Sequence, residues 1–367
     1  MMDKRERIRG SLLCGAIGDA FGYPVEFLSG PDAKIREYVI DRESGKAVIS
    51  DDTQMTLFTA CGLLYGYSRF RMRGIGGNPA IYIRSAYFDW LETQGYKAEK
   101  HPRVSWIYSI PELHCLRAPG NTCLSALQKG GGSIKEPINN SKGCGAVMRI
   151  APIPLFCAGN HLLNKEKTAD LCADASAITH CHPLGWLSSV ALGIILYDLM
   201  CDASLDDAVA DTIDFLRKKY ADYPDAETMA KLIEKTKRLA DLACRSNSDD
   251  LTGEFDIMKE LGEGWVGEEA LAVGLFSVLS CRERGFDQCM YNAACHKGDS
   301  DSTASIAGQI WGAAYGLSRV DEKWLRDLEL RDVILEIADD LTDNCKMSEY
   351  GDYYDPVWDK KYIRVKE

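Results

Sequence analysis

Apolar residues recur along this chain at helical rather than strand spacing. Over Arg5 to Gly22 they fall at Ile8, Leu12, Ala16, Ile17 and Ala20, one face of a helix. Gly10, Gly15, Gly18 and Gly22 interrupt that helix, at about 1 kcal/mol each against alanine. They are expected where a neighbouring element or a ligand comes close to the backbone. The run Leu57 to Tyr67 reads as a second helix, and Pro79 to Gln94 as a third, with Ile81, Ile83, Tyr87, Phe88, Trp90 and Leu91 on its apolar face. Gly120-Asn121-Thr122 can cap a helix through Cys123 to Gln128, which Gly130-Gly131-Gly132 ends. Helical spacing continues through Lys165 to Ile178, Gly185 to Cys201, Ser204 to Tyr220, Ala226 to Arg245, Glu268 to Arg282 and Thr303 to Tyr315. No segment alternates convincingly as a strand, and no repeat of roughly 20 to 50 residues is visible. The pattern predicts an all-α chain, a single domain over residues 1–367.

The connections are polar or broken. Gly30 to Val48 reads as a loop, and Pro102, Pro111 and Pro119 interrupt Lys97 to Gly120. The acidic stretch Asp206 to Asp250 is expected to present solvated helix faces. The tail Glu349 to Glu367, with Tyr353, Tyr354, Trp358 and Tyr362, is expected to pack back onto the body.

Composition narrows the function classes. An apolar share of 46% in 367 residues is ordinary for a globular protein with a substantial core. A net charge of -12 argues against a nucleic-acid backbone as the main partner, though bound cations would still admit a phosphate-bearing small substrate. No apolar run reaches the roughly 18 residues that suggest a membrane span, and the start Met-Met-Asp-Lys-Arg-Glu-Arg lacks a secretory apolar stretch. The fourteen cysteines are scattered without a CxxC pair. They are expected as reduced thiols, most of them small core residues, in a cytoplasmic protein.

Two acidic clusters carry the candidate chemistry. Ser50-Asp51-Asp52-Thr53 precedes the Leu57 run, where Ser50 suits an N-cap and the aspartates complement a helix dipole. Gly298-Asp299-Ser300-Asp301-Ser302-Thr303 likewise precedes a helix. It is no calcium loop, because the sixth and twelfth positions are Ala304 and Ile310 rather than glycine and glutamate. That helix carries Ala304, Ala307, Gly308, Gly312, Ala313 and Ala314, small enough to let a second helix approach closely. If the two acidic ends meet, four aspartates repel by several kcal/mol unless cations neutralise them, and all-oxygen donors select magnesium or manganese over zinc. Spacing alone leaves open the alternative that both are caps on distant helices.

Three further features stand out. Glu26 lies between apolar neighbours and reads most simply as an exposed loop glutamate. Asn139 to Pro152, rich in small residues, is either a tight turn or a backbone cradle for phosphate; it is not a Walker A loop. In Thr179-His180-Cys181-His182-Pro183 the histidines stand two apart, poorly placed for a zinc pair, so a helix-end histidine with a structural hydrogen bond is the simpler reading.

Taken in order, Gly15-Ala16-Ile17-Gly18-Asp19-Ala20 with Glu26, Ser50-Asp51-Asp52-Thr53, Ser141 to Arg149, Thr179-His180 and Gly298 to Ser302 resemble the ADP-ribosylglycohydrolase family. That family includes the dinitrogenase-reductase-activating glycohydrolases and the ADP-ribosylarginine hydrolases. The resemblance implies an all-α fold with a dinuclear site at helix N-termini, holding two divalent cations, Mg²⁺ or Mn²⁺. By motif, Ser50, Asp51, Asp52, Asp299, Asp301 and Ser302 would be the ligands, and Glu26 or Asp52 the catalytic base. Gly120, Asn121, Ser141, Gly143, Cys144 and His180 would contact the diphosphate and adenosine. Relatives often carry threonine at Ser50 and Ser302, asparagine at Cys144 and an aromatic at Lys142. Lys142 is therefore expected instead to attract a phosphate. The implied activity is metal-dependent removal of ADP-ribose from an ADP-ribosylated protein or a small conjugate, with arginine as first acceptor. Serine-linked, O-acetyl or nucleobase conjugates are alternatives, as is a non-catalytic ADP-ribose-binding or crystallin-like protein on the same scaffold.

Overall fold

Helix α1, Lys4–Gly22, is buried along nearly its whole length, and its glycines explain how. In the computed structural model, which describes residues 2–28, 35–74, 77–245 and 258–365, α1 lies antiparallel to α12, Ser300–Tyr315. A Cβ on Gly308 would stand 1.9 Å from the Cys14 carbonyl oxygen, and one on Gly18 would stand 2.0 Å from that of Ala304. Only glycine lets these backbones come so close. The Ser11 hydroxyl donates to the Gln309 carbonyl at 2.9 Å and locks the register.

Around this pair stand α2 (Asp51–Arg73), α3 (Ala80–Thr93), α4 (Asn121–Gln128), α5 (Pro152–Gly159), α6 (Lys165–Ala177) and α7 (Pro183–Met200). They continue as α8 (Leu205–Lys219), α9 (Pro224–Arg245), α10 (Gly267–Cys281), α11 (Phe286–Ala294), α13 (Glu322–Arg326), α14 (Arg331–Asp343) and α15 (Pro356–Tyr362). Among the described residues no strand forms, only isolated bridges between Ala47 and Leu328 and between Gly143 and Val266. The all-α expectation therefore holds, and each helix expected from periodicity is present. Helices α5, α11, α13, α14 and α15 lie outside the segments read as helical; α5 is apolar and buried almost all round, so it has no periodic face to read, whereas α11 and α14 do carry an amphipathic face.

Some expectations need correction. Helix α7 spans 18 residues at a mean hydropathy of 1.5, long and apolar enough by composition to cross a membrane. No such run was expected. It is instead the central helix of the fold, with 83% of it buried. The tail docks through Trp358, whose indole N–H donates to Ser68 Oγ at 2.8 Å, and through the buried Tyr362, but Tyr353 and Tyr354 stay exposed. Of the Gly30 to Val48 loop, residues 30–34 lie outside the described residues, as do 246–250 of the acidic stretch. The rest of that stretch does form solvated faces on α8 and α9, laced by Arg217 with Glu227 and Glu234.

Substituting Gly308→Ala should force α1 and α12 apart and lower stability by about 3 kcal/mol. Gly77→Ala, which meets nothing within 4 Å, should change it by less than about 0.5 kcal/mol. Denaturant midpoints of the two variants test this difference.

Candidate metal centre and active site

The α1–α12 contact brings two helix starts together. Ser50 caps α2: its Oγ accepts the Asp52 N–H at 3.2 Å. The Asp19 carboxylate, reaching across from α1, accepts the N–H groups of Ser50 at 2.9 Å and of Thr53 at 3.0 Å. The Asp51 N–H donates to the Arg117 carbonyl at 3.1 Å. With the first-turn donors met this way, the Asp51 and Asp52 carboxylates are not consumed in capping. Asp51 Oδ2 accepts the Gly120 N–H at 3.2 Å. Asp52 Oδ2 accepts the Ser302 hydroxyl at 3.3 Å, which joins the two acidic motifs directly.

On the other side Asp299 caps α12, accepting the Ser302 N–H at 3.3 Å, while Asp301 Oδ1 accepts the same N–H at 2.9 Å. Gly298 makes this turn possible. Its φ of 137° lies in the glycine-favoured region, and the turn presses the Asp299 N–H onto the Glu263 carbonyl at 2.9 Å. Glu26 follows the 3₁₀ turn Tyr23–Val25 and is only 9% exposed, not the exposed loop residue of the simpler reading. Its carboxylate and those of Asp299 and Asp301 offer oxygens all within 4.8 Å of one another.

These groups face a cavity of about 210 Å³. Glu26, Asp51, Asp52, Asp299, Asp301 and Ser302 line it together with Gly120, Asn121, Gly143, Cys144, His180 and Trp265. Two expected site residues stand behind the walls. Ser50 is fully buried, and Ser141 Oγ bonds to Thr122 Oγ1 at 3.2 Å and accepts the Gly143 N–H at 3.3 Å, tying two wall loops together. The missing side chains at Gly143 and Gly145 let their loop lie on the His180 ring, with added Cβ atoms only 3.2 and 3.1 Å from it. Burial, and then the Arg149 charge, push His180 down to about 3, so the imidazole is neutral. His182, not His180, is the helix-end histidine: its Nδ1 accepts the Leu184 N–H at 3.0 Å at the start of α7.

Lys142 corrects another expectation. Its ammonium pairs with Glu268 and does not line the cavity, so it is not free to attract a phosphate there. Two buried residues were quoted in motifs without a role. Asp19 fixes the start of α2, and Arg149, fully buried, donates to Thr179 Oγ1 at 2.6 Å and stacks on Tyr87. The signal for both was a charge inside an otherwise apolar run.

Among the described residues no lysine or arginine lines the cavity. Burial pushes Glu26 up to about 8, with Asp299, Asp51 and Asp19 adding like charge. Burial likewise takes Asp51 to about 8 and holds Asp52 and Asp301 well above the usual carboxylate range. Glu26 Oε2 and Asp52 Oδ1 are buried without a hydrogen-bond partner. Unpaired carboxylate oxygens in an all-acid pocket fit hard cations, and this donor set could hold them.

Comparisons with known proteins identify the family and the fold. The ADP-ribosylglycohydrolase family profile matches residues 1–350. A solved structure described as an ADP-ribosylglycohydrolase-related protein complex shares the fold with a TM-score of 0.64 at 22% identity, covering 94% of this chain and 99% of that one. ADP-ribosyl-[dinitrogen reductase] glycohydrolase of Rhodospirillum rubrum is 21% identical over 89% of this chain and 91% of its own length. ADP-ribosylhydrolase ARH3 of Bos taurus is 25% identical over 52% of this chain and 54% of its own length, so the match spans about half of that relative. The chain belongs to the ADP-ribosylglycohydrolase family.

The raised carboxylates set a pH dependence. Their folded values lie above the ordinary value near 4.5, so the stability they contribute is present below about 4.5 and is lost as pH rises through about 8. Chelator-treated protein should therefore lose thermal stability across that window. Added Mg²⁺ or Mn²⁺ should raise the Tm at least about twice as much at pH 8 as at pH 5. Thermal unfolding at the two pH values measures it.

Proposed function

We propose that the protein is a metal-dependent hydrolase that removes ADP-ribose from modified acceptors, with ADP-ribosyl-arginine on proteins as its substrate. The observation that carries this reading is the convergence of five carboxylates in a cavity that no lysine or arginine among the described residues lines. Family membership supports the reaction class. The proposed ligands of two divalent cations, Mg²⁺ or Mn²⁺, are Ser50, Asp51, Asp52, Asp299, Asp301 and Ser302. Ser50 Oγ already accepts one N–H, and a hydroxyl oxygen keeps a second lone pair. When bound, the cations would supply Lewis-acid charge stabilisation.

The chain's own residues supply the rest. Helix α4 starts at Asn121 without a side-chain cap, so its N-terminal amides, together with the Gly143 loop, suit the diphosphate. Neutral His180 offers a hydrogen bond without charge. Cys144 faces the same space, and Ser141 holds the loop. Glu26 is assigned as base because it stands beside the exposed Phe27 with a free carboxylate oxygen; Asp52 is the second candidate. The base takes a proton from water as the oxygen bonds to ribose C1″. The C–N bond breaks as that bond forms, and the base returns the proton to the departing guanidine nitrogen. Phe27 and Trp265, stacked at 6.2 Å beside Glu26, offer aromatic faces that suit an arginine guanidinium. The proposed setting is the cytoplasm, for which fourteen cysteines outside any disulfide are fitting.

Incubation with ADP-ribosyl-arginine protein should release ADP-ribose with Mg²⁺ or Mn²⁺ and not with chelator. Asp299→Ala should lower kcat/KM by at least about 100-fold, and full activity in that variant would refute the site. A panel of serine-linked, O-acetyl and nucleobase conjugates tests the acceptor. No release from any of them would favour a binding or structural protein.

A further inference from the structure

Cys123, Cys144 and Met148 bring sulfur to the acidic cavity, and the Cys144 sulfur touches one of its carboxylates. Cys144 opens the 3₁₀ turn Cys144–Ala146, and its N–H is held by the Trp265 carbonyl at 3.3 Å. Its Sγ donates to Asp299 Oδ2 at 2.7 Å. The sulfur therefore sits against the acidic start of α12, in the cavity that Glu26 and Asp52 also line. Both of those residues are at least nine-tenths buried, and each carries a carboxylate oxygen without a partner. A buried pocket of unmet anionic oxygens points to a cation, and the sulfur adds a soft donor to its walls.

We propose that Cys144 Sγ is a ligand in this centre, so that the chain takes thiophilic divalent cations such as Zn²⁺, Cd²⁺ or Co²⁺ through sulfur together with Asp299. The inference rests on reading the cavity as a metal centre. Oxygen donors alone favour Mg²⁺ or Mn²⁺, whereas a thiolate shifts preference toward softer ions. A sulfur already touching a ligand oxygen needs only a small side-chain rotation to share a cation with it. As the metal–sulfur bond forms, the thiol proton passes to water. The site then discriminates among cations by whether sulfur is engaged: Mg²⁺ leaves the thiol intact, and Zn²⁺ does not.

The test uses the full chain, stripped by chelator and titrated with Co²⁺ under equilibrium dialysis. A thiolate-to-cobalt charge-transfer band in the near ultraviolet should grow with bound Co²⁺. In Cys144→Ser, Co²⁺ should still bind without the band, and Zn²⁺ affinity should fall at least about tenfold while Mg²⁺ affinity stays within about threefold. Bound Co²⁺ without a band in the native chain, or a band that survives in Cys144→Ser, overturns the inference alone. If no Co²⁺ binds, the metal-centre reading falls with it. A second measurement needs no variant: Zn²⁺ should slow alkylation of Cys144 by iodoacetamide and Mg²⁺ should not, and equal rates would overturn the inference.

Discussion

Everything at the candidate site depends on how closely α1 and α12 approach. Backbone meets backbone at Gly10, Gly18, Gly308 and Gly312, where any side chain would collide. That contact delivers Asp19 to one helix start and places Asp299, Asp301 and Ser302 opposite Asp51 and Asp52. A pair of helices at ordinary separation, about 8–10 Å between axes, would hold the two acidic motifs farther apart. The glycines that weaken α1 as an isolated helix are thus what permits the centre to assemble.

Assembly has an electrostatic consequence. Glu26, Asp51, Asp52 and Asp301 lose much of their hydration in this cavity, so the folded protein opposes their ionisation. One structural carboxylate elsewhere in the molecule is met differently. Asp89, also fully buried, receives Arg103, His101 and the N–H groups of Val104 and Ser105. The contrast separates an acid that holds a loop in place from acids left with unused oxygens. Leaving those oxygens unmet is destabilising, which is the physical reason to connect them with a bound cation rather than with fold stability.

The Gly143 loop directs two neighbouring side chains to different partners. Lys142 is drawn away to Glu268, and Cys144 turns inward to Asp299. Two neighbours in one short segment therefore take opposite directions. The difference follows from the Gly143 loop, where Gly267 N–H donates to the Lys142 carbonyl at 2.8 Å and Cys144 N–H donates to the Trp265 carbonyl.

By itself, the sequence determined the helices with a periodic apolar face, the all-α class, and the two acidic motifs at helix starts. Each of these follows from local spacing, which the chain carries whatever its neighbours do. The family was legible because five motifs occur in order. Helices buried all round, such as α5, left no period to read. Whether Glu26 is exposed, whether Lys142 is free, which histidine caps a helix, and what Asp19 and Arg149 do were decided by tertiary structure. These properties depend on partners distant in sequence: Asp19 on the start of α2, Lys142 on Glu268, and Ser50-Asp51-Asp52-Thr53 on a second acidic turn 250 residues away, where Ser302 meets Asp52. Spacing along a chain says what each group can do, and only packing says what it finds to do it with.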